Sequence, residues 1–275
     1  MLEEDVEITG EATDNNEEEP GKDRQFVTAL ARGLEVLRCF KPGEQFLGNQ
    51  EIAKRTGLPK PTVSRLTYTL TQLGFLNYSE ILGKYSLGTG VLSIGNAFLS
   101  NMNIRQVARP LMQELADHAH ASVALGARDR LEMVYIENCR SSATSFTLNL
   151  DVNSRIPIAT TAMGRAYICG LPEGQRDHLL DQIKARSEEE WPRIKTHLEQ
   201  AFRDYQEKGF CLSVGDWQKD VNAVAVPFIP VNGSDVLAFN CGGPSFHIRR
   251  HMLEDDIGPR LVALVRNVHA SLSRQ

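Results

Sequence analysis

Apolar residues recur at steps of three and four between Pro61 and Leu73, as Val63, Leu66, Leu70 and Leu73. That period predicts an amphipathic helix with one stripe turned to a core and an outer face of Pro61, Ser64, Arg65, Tyr68 and Gln72. Pro59 and Pro61 flank Lys60. A proline at the first helical position gives up an amide that has no intrahelical partner, so the helix is expected to start at Pro61 and to stop at Gly74. Ahead of it, Ala53, Gly57 and Val63 stand where two short helices crossing steeply need a small contact residue, a left-handed turn residue and a core anchor. Further upstream, Phe26, Leu30, Gly33, Leu37 and Phe40 repeat at four-three-four-three spacing and predict a first helix packed on that pair. After Gly74, residues 75–78 and 84–87 read as short strands around a turn containing Gly83. The whole is a helix-turn-helix with a two-stranded wing.

Such a second helix lies in a major groove with its N-terminal residues nearest the base edges. Ser64 and Arg65 are the candidates for direct readout, Lys60, Thr62, Tyr68 and the wing residue Lys84 for phosphate contacts, and Pro61 and Asn49 complete the expected DNA-binding set. Charge supports this over a helical domain that merely meets water. Residues 24–88 carry nine Lys/Arg against four Asp/Glu, an excess of five positive charges inside a chain of net charge −5. A basic patch in an acidic protein is what a phosphate-binding face requires. The alternative is a ligand-binding or hydrolytic domain that uses the winged module for protein contacts; steep salt dependence would distinguish DNA binding from it.

A chain of 275 residues with 41% hydrophobic content suits about two domains. No apolar run approaches the ~20 residues of a membrane span and no basic-then-apolar signal opens the chain, so a cytoplasmic protein with no membrane partner is expected. Cys39, Cys139, Cys169, Cys211 and Cys241 are odd in number and form no C-x-x-C pair, which points to reduced thiols. Met1 to Asp23 holds ten acidic residues and one lysine and is expected to be disordered. This tail either competes with DNA for Lys60 or Lys84 or merely aids solubility. Gly90 to Asn103 reads as a helix apolar on more than one face, whose economical partner is its own copy in a two-fold dimer.

Strand and helix signals then alternate. A helix is predicted over 104–119, strands over 122–127, 131–137 and 146–150, helices over 164–169, 173–184 and 193–208, strands over 210–213, 221–229 and 236–240 with a turn at Asn232-Gly233, and a final helix over 252–273. This order suggests a mainly antiparallel sheet with helices packed on it, an α+β domain. The expected division is a tail at 1–23, a winged helix-turn-helix domain at 24–88, a linker helix at 89–103 and an effector-binding domain at 104–275.

LARGLEVLRCF at Leu30 to Phe40, EIAKRTGLPKPTVSRL at Glu51 to Leu66, YSLG at Tyr85 to Gly88, RIPIATTAMGRAYICG at Arg155 to Gly170 and GGP at Gly242 to Pro244 together resemble the IclR family of bacterial transcriptional regulators. The resemblance implies a GAF-like effector domain, a homodimer or dimer of dimers on an operator in double-stranded DNA, and repression or activation of catabolic genes switched by a small organic or aromatic acid. It places Thr160, Thr161, Ala162 and Met163 where backbone amides meet a ligand carboxylate, donors that a helix N-terminus supplies without a lysine. It builds the opposite wall from Ser213, Asp216, Val221, Ala223, Asn240 and Gly242. The sequence departs from the commoner family pattern at Ala159-Thr160, at the loop Val214 to Trp217, at Ala223, and at Asn240 and Gly242. Trp217 is then a candidate to close over an aromatic ring, although a core or interface role is the commoner fate of a tryptophan.

His247 and His251 stand four apart ahead of Asp255 and Asp256, a spacing open to metal ligation, but surface histidines are the safer reading and neither a metal nor a cofactor is expected. Ser213 and Asp216 with a distant histidine assemble a catalytic triad only on paper. No P-loop, nucleophile elbow or H-E-x-x-H is present, so no enzyme is expected.

Overall fold

The computed structural model describes residues 25–143, 149–230 and 233–273. The acidic tail expected at 1–23 lies outside them, as does Asn232 of the predicted turn. Of the strand predicted over 146–150, Asn149 and Leu150 alone are described, and neither belongs to a strand. Cα packing divides the chain into two compact units between Ala97 and Phe98.

The first unit holds α1 (Thr28–Arg38), α2 (Asn49–Thr56), α3 (Lys60–Gln72), β1 (Leu76–Ser79) and β2 (Lys84–Leu87). Val36, Cys39, Leu47, Ile52, Val63 and Leu76 form its core. Gly57 takes the left-handed turn between α2 and α3 at φ 69°. There a side chain would be strained. α3 begins one residue earlier than the prolines suggested: Pro59 is extended, its carbonyl accepts from the Val63 amide at 3.1 Å, and Pro61 sits in the first turn, where it costs no hydrogen bond.

The packing departs from the predicted stripes in two places. Leu73 is 63% exposed because the helix ends before it, and Thr67 takes the inner position instead, its hydroxyl satisfied by the Val63 carbonyl at 3.0 Å. Phe26 and Leu30 are also exposed, since Val36, Leu37 and Phe40 in the second half of α1 and just beyond it fill so small a core. The wing is antiparallel, with Leu76 opposite Leu87 and Tyr78 opposite Tyr85, and Gly83 turns it at φ 61°. Its first strand starts after Phe75, whose amide still closes α3 on the Leu70 carbonyl at 2.9 Å.

Helix α4 (Thr89–Ser100) crosses the division between the units and buries none of its residues. Leu92, Ile94 and Phe98 stand exposed along it.

The second unit contains α5 (Asn103–Ala119), β3 (Ser122–Asp129), β4 (Glu132–Arg140), β5 (Arg155–Pro157), α6 (Ala162–Gly170), α7 (Glu173–Arg186), α8 (Trp191–Lys208), β6 (Cys211–Val214), β7 (Val221–Phe228) and β8 (Leu237–Pro244). It ends in α9 (Arg250–Met252), a π-helical turn (Leu253–Ile257) and α10 (Gly258–Leu272). The six strands make one antiparallel sheet in the order β5-β4-β3-β8-β7-β6.

Alternation along these strands sorts side chains by size. Val123, Leu125, Val224, Val226, Phe228, Leu237 and Phe239 face α5 and α10 in one cluster. Ala124, Ala223, Ala225 and Ala238 face α6 in the other. A period of two puts each set on one face, and the small set lets a helix and a cavity approach the sheet. A bulge breaks the alternation on β4: Leu125 pairs with Glu137 while Gly126 pairs with Tyr135, leaving Ile136 as the extra residue. Tyr135 keeps the α6 side with Leu131 and Met133, and the extra residue turns Glu137 toward α5.

Candidate functional site

On the first unit, Lys60, Pro61, Ser64, Arg65 and Tyr68 are exposed on α3, and Thr62 is half-buried. Among the described residues, neither Lys60 nor Arg65 forms an ion pair, whereas other basic groups nearby are engaged. Arg55 makes two bonds to Glu44, at 2.5 and 2.9 Å, and one to the Cys39 carbonyl at 2.7 Å. Lys84 lies 3.5 Å from Glu51, which also accepts from the Gly48 amide at 2.8 Å. That amide first, and then Lys84, hold the Glu51 carboxyl below its usual range. Asn49 donates to the Ser64 hydroxyl at 3.1 Å and accepts from Thr67 at 3.4 Å. It ties the start of α2 to α3, so its amide is committed within the protein.

In the second unit a narrow cavity of about 20 Å³ lies where α6 begins against the small-residue face of the sheet. Thr161, Ala162, Ser213, Trp217, Val221, Ala223, Asn240 and Gly242 line it, and so do Tyr135 and Ile156, which the sequence reading missed. Tyr135 follows Leu131 and Met133 at alternate positions, a signal the sequence did carry, whereas Ile156 sits on a three-residue strand too short to show a period. Thr160, Met163 and Asp216 do not line it. Thr160 offers its carbonyl to the Ser213 hydroxyl at 3.0 Å. Met163 is fully buried against Gly126, where an added Cβ would meet its sulfur at 2.2 Å. A larger residue at 163 would therefore strain the fold before it plugged the cavity.

Helix α6 is set down closely. The Thr161 hydroxyl caps it by accepting from the Gly164 amide at 3.2 Å while donating to the Pro157 carbonyl at 2.7 Å. A Cβ at Gly164 would fall 1.9 Å from the Ile158 carbonyl oxygen, so only glycine permits this approach. The first amides of a helix have no partner within it and carry the positive end of its dipole. Across the cavity, the Asn240 side chain makes no protein hydrogen bond among the described residues, and burial raises the Tyr135 phenol far above its usual range, keeping it neutral.

Asp216 anchors the loop that carries Trp217. Its carboxylate accepts from Arg165 at 2.8 Å and lies 3.6 Å from His197, while Arg165, 3% exposed, also donates to the Leu212 carbonyl at 2.7 Å. Arg165 Nε and Nη2 are buried without an acceptor. Ser213 and Asp216 are thus each bonded elsewhere than to a histidine–serine pair. On the other face of the sheet, Glu137 is held by Arg105 at 3.1 Å and Arg109 at 2.5 Å, and Arg105 also donates to the Leu99 carbonyl at 3.1 Å. The end of α4 is thereby pinned to β4.

A wider groove of about 220 Å³ runs between α5 and α10, but it opens to solvent, and two of its charged groups, His118 and Arg260, both bond Asp256, at 2.9 and 2.6 Å. No group of three His, Cys, Asp or Glu among the described residues is placed to hold a metal, and no described helix is long and apolar enough to cross a membrane.

A winged helix-turn-helix followed by an α+β domain with a small internal cavity defines a DNA-binding transcriptional regulator. The profile of the IclR helix-turn-helix domain matches residues 29–80, and that of the bacterial transcriptional regulator IclR C-terminal domain matches residues 96–274. The chain belongs to the IclR family. It is 33% identical over 248 residues to the HTH-type transcriptional regulator TsaQ1/TsaQ2 of Comamonas testosteroni, covering 90% of this chain and 89% of that protein. The crystal structure of an IclR family transcriptional regulator from Brucella abortus superposes with a TM-score of 0.85 at 52% identity, covering 91% of this chain and 94% of that one. An IclR homolog from Microbacterium hydrocarbonoxydans, complexed with 4-hydroxybenzoate, shares the fold at 18% identity, with a TM-score of 0.66 over 90% of this chain and all of that one.

Proposed function

We propose that this regulator binds operator DNA through α3 and releases or engages it when a small carboxylic acid, aromatic in the first instance, enters the cavity beside α6. The observation that carries the reading is the pair of cationic side chains on α3, Lys60 and Arg65, exposed and without an ion pair among the described residues, whereas Arg55 and Lys84 are paired with Glu44 and Glu51. Arg65 and Ser64 meet base edges; Lys60, Thr62, Tyr68 and Lys84 meet phosphates; Asn49 holds Ser64 in place. For the acid, the amides at the start of α6 suit the carboxylate, Asn240 offers an unengaged amide, and Trp217 supplies an apolar wall. The 4-hydroxybenzoate of the Microbacterium protein is of this chemical class.

A cavity of about 20 Å³ holds on the order of one water, so an acid enters only as the Trp217 loop shifts. That shift works against the Asp216–Arg165 bond. Movement of β4 reaches the end of α4 through Glu137 and Arg105. A two-fold dimer built on the exposed Leu92, Ile94 and Phe98 of α4 would set two copies of α3 at one turn of DNA, and a ligand changes that spacing only by its differential affinity for the two arrangements.

The test is binding of the full chain to duplex from its own upstream region across a salt series. Affinity should fall steeply with salt through counterion release. Arg65→Ala should cost roughly 1–3 kcal/mol on the preferred site and relax base preference, while Lys60→Ala weakens all sequences alike. Equal losses on specific and nonspecific duplex for Arg65→Ala would refute base readout.

A further inference from the structure

Among the five cysteines, all free, two differ from the rest. Cys39 and Cys139 point their sulfurs at backbone carbonyls, those of Glu35 and Arg109. Cys241 is fully buried. Cys169 and Cys211 instead face each other, Sγ to Sγ at 3.6 Å, although they lie 42 residues apart in the chain. Cys169 is half-buried near the end of α6, and Cys211 is fully buried at the start of β6, with the Ala201 carbonyl as a second acceptor for its thiol at 3.6 Å.

We propose that Cys169 and Cys211 are a redox-sensitive dithiol that a peroxide converts to an intramolecular disulfide. Closing the gap to a bond of ~2.05 Å takes a movement of roughly 1.5 Å. Cys169 is the sulfur an oxidant can reach. It accepts a hydrogen bond from the Cys211 thiol. Cys211 is fully buried, out of an oxidant's reach, and so is the resolving partner; the hydrogen bond to Cys169, and then burial, hold its thiol above its ordinary range.

The chemistry closes without a further reagent. The Cys169 thiolate attacks one oxygen of hydrogen peroxide, the O–O bond breaks, and hydroxide leaves and takes up the proton that Cys169 had lost, forming water. The Cys211 sulfur then attacks the Cys169 sulfenic acid, the S–O bond breaks, and the departing hydroxide combines with the Cys211 proton. Two thiols and one peroxide become one disulfide and two waters. Ala162 at the start of α6 and Ser213, two residues beyond Cys211, both line the cavity, so the bond would clamp two of its walls. That consequence rests on the effector reading; the bond itself does not.

The full chain is treated with hydrogen peroxide, its remaining thiols are alkylated under denaturing conditions, and its peptides are mapped without reduction. The expected result is a Cys169–Cys211 cross-linked peptide, reversed by dithiothreitol, with Cys39, Cys139 and Cys241 still alkylated. In Cys211→Ser, dimedone should trap a sulfenic acid at Cys169; in Cys169→Ser, Cys211 should stay a thiol at the same dose, a test that holds if Cys211→Ser fails to fold. Recovery of both wild-type thiols at a dose that oxidises free cysteine, or Cys169 over-oxidised beside an intact Cys211, would overturn the proposal. A melting shift with 4-hydroxybenzoate that is smaller for the oxidised than for the reduced protein supports the clamp. Equal nonzero shifts remove the clamp and leave the disulfide site standing.

Discussion

The two faces of the six-stranded sheet are built from the same strands and do opposite work. Toward α5 and α10 the residues are large, and Phe239, Val224 and Leu125 are buried without remainder. Toward α6, alanine, glycine, serine and asparagine on β7, β8 and their neighbours stand beside the larger Met133, Tyr135 and Ile156, and a cavity remains. Side-chain volume at alternate positions, and not loop chemistry alone, sets where the sheet leaves a cavity. Close packing supplies stability on one side; on the other, small residues leave room that polar groups then make selective.

The largest effect should come from the packed face. Phe239→Ala removes a fully buried ring set edge-on to Phe228 at 6.2 Å, and should lower unfolding free energy by about 3–5 kcal/mol in a denaturant titration while leaving ligand preference unchanged. A change in preference would break the division between the faces. Next comes Asp216→Asn, which leaves the buried Arg165 guanidinium uncompensated. The loss should be about 3 kcal/mol, the low end for a broken buried pair because Asp216 is itself 22% exposed, and the Trp217 fluorescence should report a loosened loop. Gly242→Val should cost roughly 1–3 kcal/mol by overpacking, since a Cβ there falls 2.8 Å from that of Ala223, and should abolish the melting shift caused by any cavity ligand.

Smaller effects sharpen the same contrast. Asn240→Ala should change stability by less than about 1 kcal/mol, because its side chain has no protein partner to lose among the described residues, yet weaken acid binding several-fold. On the packed face, burial lowers the His269 pKa below 6.5 where the ring stacks on Phe228 at 4.1 Å. Its neutral form is the one the fold favours, so its contribution is whole above the unfolded value and shrinks as pH falls toward the folded one. Melting temperature between those two pKa values should drop slightly more in the wild type than in His269→Gln.

Residues 49–88 were readable because their signals are local: a glycine at the turn, prolines at the helix start and a three-four stripe lie within a few residues of one another. Even there, the sequence hid that Thr67 replaces Leu73 inside, a matter of where α3 stops. The sheet was legible as strands and in its antiparallel character, and eight of the residues assigned to the effector site do line the cavity. What escaped was non-local. The bulge that turns Glu137 toward α5 is visible only in the register with β3, the edge strand β5 is too short for periodicity, and the Arg165–Asp216 bond joins residues 51 apart.

The central claim is that the small-residue face receives the ligand. A crystal structure of the full chain with whichever benzoate-type acid most raises its melting temperature tests this directly. The account predicts a carboxylate at the amides of Ala162 and Met163, a ring against Trp217 and a contact from Asn240. An acid seated instead in the groove between α5 and α10, with the α6 cavity unchanged, would contradict it.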